Sequence, residues 1–184
     1  MALPLTAEDV SSVVKTLKEN QCPFGIRSGG HSQFAGSSSV DEGVTIDLGT
    51  FRAHYMTPIY NDHRILMITT GYLNATSYDT DTKLASVEPG AKWRDVYDAL
   101  TPHGVTTTGG RADLVGVGGF ITGGGYSFYH GAHGFACDNV QNFEVVLADG
   151  QIVNANANEN ADLWKALKGS SGNLGFVTRF DLSE

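Results

Sequence analysis

Residues 27–32 read Arg-Ser-Gly-Gly-His-Ser and close a short strand-like run. Two adjacent glycines, Gly29 and Gly30, let a chain turn tightly and bring backbone N–H groups close to a phosphate. Arg27 and the hydroxyls of Ser28 and Ser32 can add further donors. The same turn sets the imidazole of His31 at the edge of whatever the loop holds. On local chemistry alone, a β-turn carrying an exposed histidine explains the run at least as well.

A second glycine-dense stretch spans residues 109–125 and includes Gly116, Gly118, Gly119, Gly123, Gly124 and Gly125. Glycine in regular structure costs roughly 0.5–1 kcal/mol relative to alanine, so such a density needs a compensating gain, and close approach of a ligand supplies one. Gly116-Val-Gly118 is a poor Rossmann fingerprint, because the preceding Arg-Ala-Asp-Leu is no buried strand and no strand–turn–helix context is evident. No Gly-Lys-Ser/Thr occurs, which removes a Walker loop. A third run, Gly169-Ser-Ser-Gly-Asn-Leu-Gly175, precedes a strand and by itself reads as a loop.

The elements around these loops follow from periodicity. Thr6-Ala-Glu-Asp9 forms a variant capping box, and Val10, Val13, Val14 and Leu17 then recur on one helical face until Asn20 and Pro23. Short strands are expected at 24–27, 44–48 and 85–88, the last stopped by Pro89-Gly90. Trp93, Val96, Tyr97 and Leu100 mark a second amphipathic helix. Residues 140–153 read as a hairpin turned by Asp149-Gly150. A short helix over 160–168 and a closing strand over 176–182 complete the pattern. Strands and helices mix without βαβ repetition, so the fold class is α+β in two lobes, 1–84 and 85–184. Residues 50–72 show no period and lie between a good strand and a polar turn over 74–83. They are expected to be an insertion or a retained intron read in frame, and sequencing of mature transcripts checks the intron version.

The chain has 184 residues, 41% hydrophobic and 17% charged, enough for a packed core. Its net charge of −8 argues against a nucleic-acid surface. No apolar run reaches 18 residues, so no membrane span is expected, and the N-terminus lacks the pattern of a signal peptide. Cys22 and Cys137 are too few for a disulfide scaffold and sit beside apolar segments as small buried residues would. His130 and His133 have a ligand-like spacing but no Cys, Asp or Glu converges on them, so no metal is expected. Trp93 and Trp164 fall on apolar helix faces and are expected in the core. His54 and His63 carry no argument.

Taken together, PFGIRSGGHS, TKLASVEPGAKWRDVYDAL, the VGVGG…GGG run and the stretch from GFACDNVQ to LGFVTRF resemble one family. This is the PCMH-type FAD-binding domain of the vanillyl-alcohol-oxidase superfamily, and the berberine-bridge-enzyme-like branch of fungal FAD-linked oxidoreductases fits best. The resemblance covers nearly the whole chain except 50–72. It implies FAD as cofactor, bonded through a ring nitrogen of His31 to the 8-methyl carbon of the flavin. It implies a pyrophosphate loop of Arg27, Ser28, Gly29, Gly30 and Ser32. Gly116, Gly118 and Gly119, with Gly123 to Gly125, would line the flavin from the second lobe. Gly175, Phe176 and Val177 match the segment running beside the flavin and adenine part.

Many relatives carry a second tether on a Cys. Ala112 stands at that position, and alanine has no nucleophile, so a single link through His31 is expected. Phe120 replaces a His that relatives often carry. The implied activity is that of an oxygen-dependent oxidase, with hydride transfer from an alcohol, sugar or secondary-metabolite substrate to the flavin. Relatives are longer and commonly secreted. Their substrate domain, which supplies the pocket and in many members a Tyr base, has no counterpart here. A truncated, non-catalytic FAD-binding fragment is therefore the alternative reading. An NAD-binding Rossmann module is a third, weaker class. Substrate and oligomeric state are not legible.

Overall fold

The computed structural model describes residues 1–49 and 73–184. Helix α1 (Ala7–Glu19) starts where Thr6 accepts a hydrogen bond from the Asp9 N–H and Asp9 in return accepts from the Leu5 N–H. That reciprocal pair satisfies donors that a helix start leaves open. Val10, Val14 and Leu17 face inward as their spacing requires. Strands β1 (Phe24–Arg27) and β2 (Val44–Asp47) pair in parallel, and Ala2 bridges the other side of β2. Together with α1 they enclose a small core of Val10, Val14, Leu17, Ile46, Leu48 and Leu73, joined by Val146 and Phe176 from the other lobe.

The larger lobe is a five-stranded sheet with the order β3-β4-β7-β5-β6, its neighbouring strands all antiparallel. Its strands are β3 (Thr76–Asp79), β4 (Leu84–Val87), β5 (Val140–Val146), β6 (Ile152–Asn156) and β7 (Phe176–Ser183). Helix α2 (Trp93–Leu100), α3 (Val117–Thr122), the single turn α4 (His130–His133) and α5 (Ala161–Leu167) accompany it. Trp93, Phe143 and Phe180 are the largest fully buried side chains of its core. Both faces of β7 are covered. Phe180 and Leu182 join the apolar core, while Asp181 and Arg179 enter a polar network with Ser86, Asn142 and Glu144.

The mixed helix-and-sheet class, α1, α2, α5 and the hairpin β5–β6 agree with the sequence reading. Three features differ. Residues 76–79, read as part of a polar turn, form β3, because alternating exposure lets a polar strand occupy the sheet edge. The β3–β4 hairpin straddles residue 84, so Thr76–Asp79 are hydrogen-bonded into the second lobe's sheet rather than the first lobe. Helix α3 opens at Gly116 inside the glycine-dense stretch, where no helix was expected. It is short and packs through Val117 and Ile121, which are fully buried, so tertiary burial overrides poor local propensity. Cys137 is buried but Cys22 is only half-buried, and both are free thiols. The expected insertion at 50–72, with His54 and His63, lies outside the described residues.

Candidate functional site

The loop after β1 and the loop before α3 meet back to back. Gly29 and Gly116 approach so closely that a Cβ on either would stand 2.5 Å from the backbone nitrogen of the other. Only glycine at both positions permits this approach. Gly30 follows with φ of 67°, the left-handed region where a side chain is strained. The chain thereby turns, and His31 emerges exposed.

The segment 89–92 holds both loops. The Pro89 carbonyl accepts from the Ser28 hydroxyl at 2.6 Å and from the Gly118 N–H at 3.0 Å. The Ala91 carbonyl accepts from Val117 N–H, and the Lys92 backbone pairs with Gly116. Two lobes are thus tied at the point where a ligand could span them.

Along this seam runs an open cleft of about 470 Å³. That lies in the ordinary range for small-molecule sites. Ser28, Gly29, Gly30, His31 and Ser32 line it beside Gly116, Gly118 and Gly119, and Gly116 and Gly118 touch the same loop. Leu48, Val115, Phe120 and Phe180 supply apolar surface, and Gly175, Phe176 and Val177 complete the lining. Among the described residues that line it there is no Asp, Glu, Lys or Arg, although the chain carries 20 acidic residues.

Most of the expected site residues therefore come together, and a few do not. Arg27 stands beside the cleft rather than in its wall. The parallel register sets it opposite Asp47, and its Nε and Nη2 both donate to the Asp47 carboxylate. A buried carboxylate needs such partners, so those donors are spent inside the fold. Ser28 likewise spends its proton on Pro89, whereas Ser32 accepts from the Phe34 N–H and keeps its own proton to donate. Gly123, Gly124 and Gly125 do not line the cleft. Gly123 caps the end of α3, and the Gly124 and Gly125 carbonyls accept from Cys137 and Ala136. These three join α3 to the next turn. Ala112 lies in the turn before α3, where its carbonyl accepts from Val115 N–H.

The cleft also contains residues that the sequence reading had not assigned: Phe34, Ser37, Ser38, Pro89, Ser171 and Gly172. Ser171 and Gly172 belong to the third glycine run, which the Ser171 N–H ties to the end of α3 by donating to the Thr122 carbonyl at 2.9 Å. His130 lies elsewhere, its ring between those of Tyr126 and Phe135.

Residues 1–156 match the FAD binding domain family. The chain belongs to that family. This FAD-binding domain is 44% identical to the FAD-dependent monooxygenase drtC of Aspergillus calidoustus over 186 residues, covering 99% of the chain and 31% of drtC. Its fold superposes on 6-hydroxy-D-nicotine oxidase from Arthrobacter nicotinovorans with a TM-score of 0.83 at 25% identity, over 99% of this chain and 35% of that one. Berberine bridge enzyme gives 0.79 at 26% identity, over 98% and 32%. The fold is thus the two-lobed PCMH type of the vanillyl-alcohol-oxidase superfamily. The FAD-binding domain spans about a third of the length of the curated relatives it matches.

The residues of the cleft fit FAD. A Cβ on Gly119 would meet nothing within 4 Å, so this glycine leaves open space toward the cleft wall rather than packing against protein. The described lining residues include no carboxylate to repel a pyrophosphate, and the apolar ones suit a flat ring system.

Proposed function

We propose that the FAD-binding domain is the cofactor-holding part of an oxygen-dependent oxidoreductase in which His31 carries the flavin covalently. The observation that supports this best is the position of His31. It stands exposed on the glycine turn, in the wall of a cleft that the two lobes share. When bound, the flavin supplies the hydride chemistry, accepting from a substrate carbon and passing electrons to O2.

The chain's own residues do the rest. Gly29 and Gly116 let the two loops touch, Pro89 fixes their spacing, and the apolar wall excludes water from one side of the site. The His31 imidazole would supply the nitrogen for a bond to the 8-methyl carbon, at the cost of one methyl C–H and the imidazole N–H, with O2 as the acceptor of the two electrons and two protons. Ala112 offers no second attachment. The substrate is a small molecule, an alcohol, a sugar or a secondary metabolite. The fungal relatives, FAD-dependent monooxygenases by name, fit an O2-using flavoenzyme equally well.

The test is denaturing electrophoresis of the purified chain after incubation with FAD. A band that fluoresces at acid pH, and that His31→Ala abolishes, is the expected outcome. A wild-type band without flavin fluorescence refutes the covalent link. A second reading, a cofactor-binding piece with no turnover of its own, is favoured by the third of its relatives' length that the chain spans. Oxygen-consumption screening of the flavinylated chain against sugars and alcohols separates the two.

A further inference from the structure

We propose that Lys92 is a positioning residue that places a positive charge behind the 28–32 turn and holds the pyrophosphate of a flavin dinucleotide against it. The inference rests on the FAD reading above. Lys92 is the residue at which α2 begins, and its backbone bridges to Gly116. Its side chain runs along the seam, so that the ammonium stands 3.2 Å from where a Cβ of Gly29 would be. The cation is therefore packed against the back of the turn whose front forms the cleft wall.

Asp47 is the near carboxylate, but its Oδ2 already receives two bonds from Arg27 and its Oδ1 one from the Gly49 N–H. Arg27 and Asp47 close an ion pair at 2.7 Å. Among the described residues the Lys92 ammonium donates no hydrogen bond and closes no ion pair. The ammonium, acted on through space by Asp47 and Asp95 but bonded to neither, is thus half-buried directly behind the glycines. Burial pulls its pKa down, and the Asp47 and Asp95 carboxylates oppose that only in part. A partly desolvated cation without a matched anion gains from a pyrophosphate set on the far side of a thin glycine turn. The turn's own N–H groups add to the same field. Because glycine has no side chain, nothing but backbone separates the two charges.

The experiment uses flavin-fluorescence quenching on the His31→Ala chain, so that bond formation does not compete with equilibrium binding. FAD and riboflavin are titrated separately, since riboflavin has the ring system without the pyrophosphate. Adding Lys92→Met is expected to weaken FAD about tenfold, to leave riboflavin unchanged, and to flatten the salt dependence of FAD binding. Lys92→Arg is expected to restore most of the loss. Equal weakening of both ligands, or none of either, overturns the inference and leaves the FAD reading standing. A His31→Ala chain that binds FAD no more tightly than riboflavin overturns both.

Discussion

At the residue scale, two glycines of one short helix make opposite demands. A Cβ on Gly116 would stand 2.5 Å from the Gly29 nitrogen and 2.6 Å from the Ser28 Oγ, so Gly116→Ala forces the two loops apart. Overpacking of this kind costs about 1–3 kcal/mol. Gly119 lies within α3 and its Cβ would meet nothing. Gly119→Ala is therefore expected to stabilise the fold by about 0.5–1 kcal/mol, as an alanine in a helix does, while weakening FAD by intruding on the cleft. Thermal melting and FAD titration of both variants check this. Gly119→Ala should raise the melting temperature and lower affinity, and Gly116→Ala should lower both. If Gly119→Ala binds FAD as the wild type does, that wall does not meet the cofactor. The turn that exposes His31 was legible from Gly29 and Gly30, while its reading as a flavin site came from the resemblance and not from residue type. The engagement of Arg27 was not legible, because it depends on a strand partner twenty residues away.

At the element scale, α2 anchors the loop that leads into α3. Trp93 lies under Gly109 and Gly110, so close that neither glycine could carry a side chain without displacing the indole. The Tyr97 hydroxyl donates to the Gly110 carbonyl at 2.7 Å. Burial, with a smaller contribution from Tyr129, pushes the Tyr97 pKa up to about 12. The folded state thus favours the protonated phenol, which alone can donate. That stabilisation is complete below the unfolded value of about 10. It is lost as pH rises from there through about 12. Urea unfolding of wild type and Tyr97→Phe across pH 9 to 12 is expected to give curves that converge as pH climbs, with Tyr97→Phe less stable by about 1 kcal/mol at pH 9. A gap that does not narrow would show that titration of the phenol is not linked to folding. The helical spacing of Trp93, Val96, Tyr97 and Leu100 exposed α2 in the sequence. The same spacing says nothing about which glycine pair the helix supports.

At the scale of the whole molecule, polar ties among the described residues join the lobes. Ser28 to Pro89 is one, and Ser11 to the Gly150 carbonyl is another. Phe176 and Val146 add apolar contact with the α1 core. A ligand that touches both lobes in the cleft stabilises the assembled state by mass action. At a hundred times its dissociation constant, FAD is expected to add about 2.7 kcal/mol. In a thermal-shift assay this appears as a rise of several degrees that survives gel filtration in wild type but not in His31→Ala. A rise that is lost from both after filtration argues for reversible binding alone. The network of Arg179, Glu144 and Asp181 on the other face of the sheet is remote from the cleft lining and is expected to leave this shift unchanged.

The sequence by itself determined what is local or periodic: the Thr6 cap and α1, the Asp149-Gly150 hairpin, the turn at Gly29-Gly30 with its histidine, and the resemblance those motifs carry. Propensity, spacing and turn chemistry act over a few residues, so the order of amino acids is enough to show them. Only the tertiary structure decided how the three glycine runs divide their work. It paired a polar strand, β3, to the sheet edge, and it drew α3 out of a glycine-rich stretch by burying Val117 and Ile121. It also spent Arg27 on Asp47, turned Gly123 to Gly125 into a connection, and set Lys92 behind the turn. Each of those outcomes depends on contacts between residues far apart in the chain, where close packing and charge pairing override local preference.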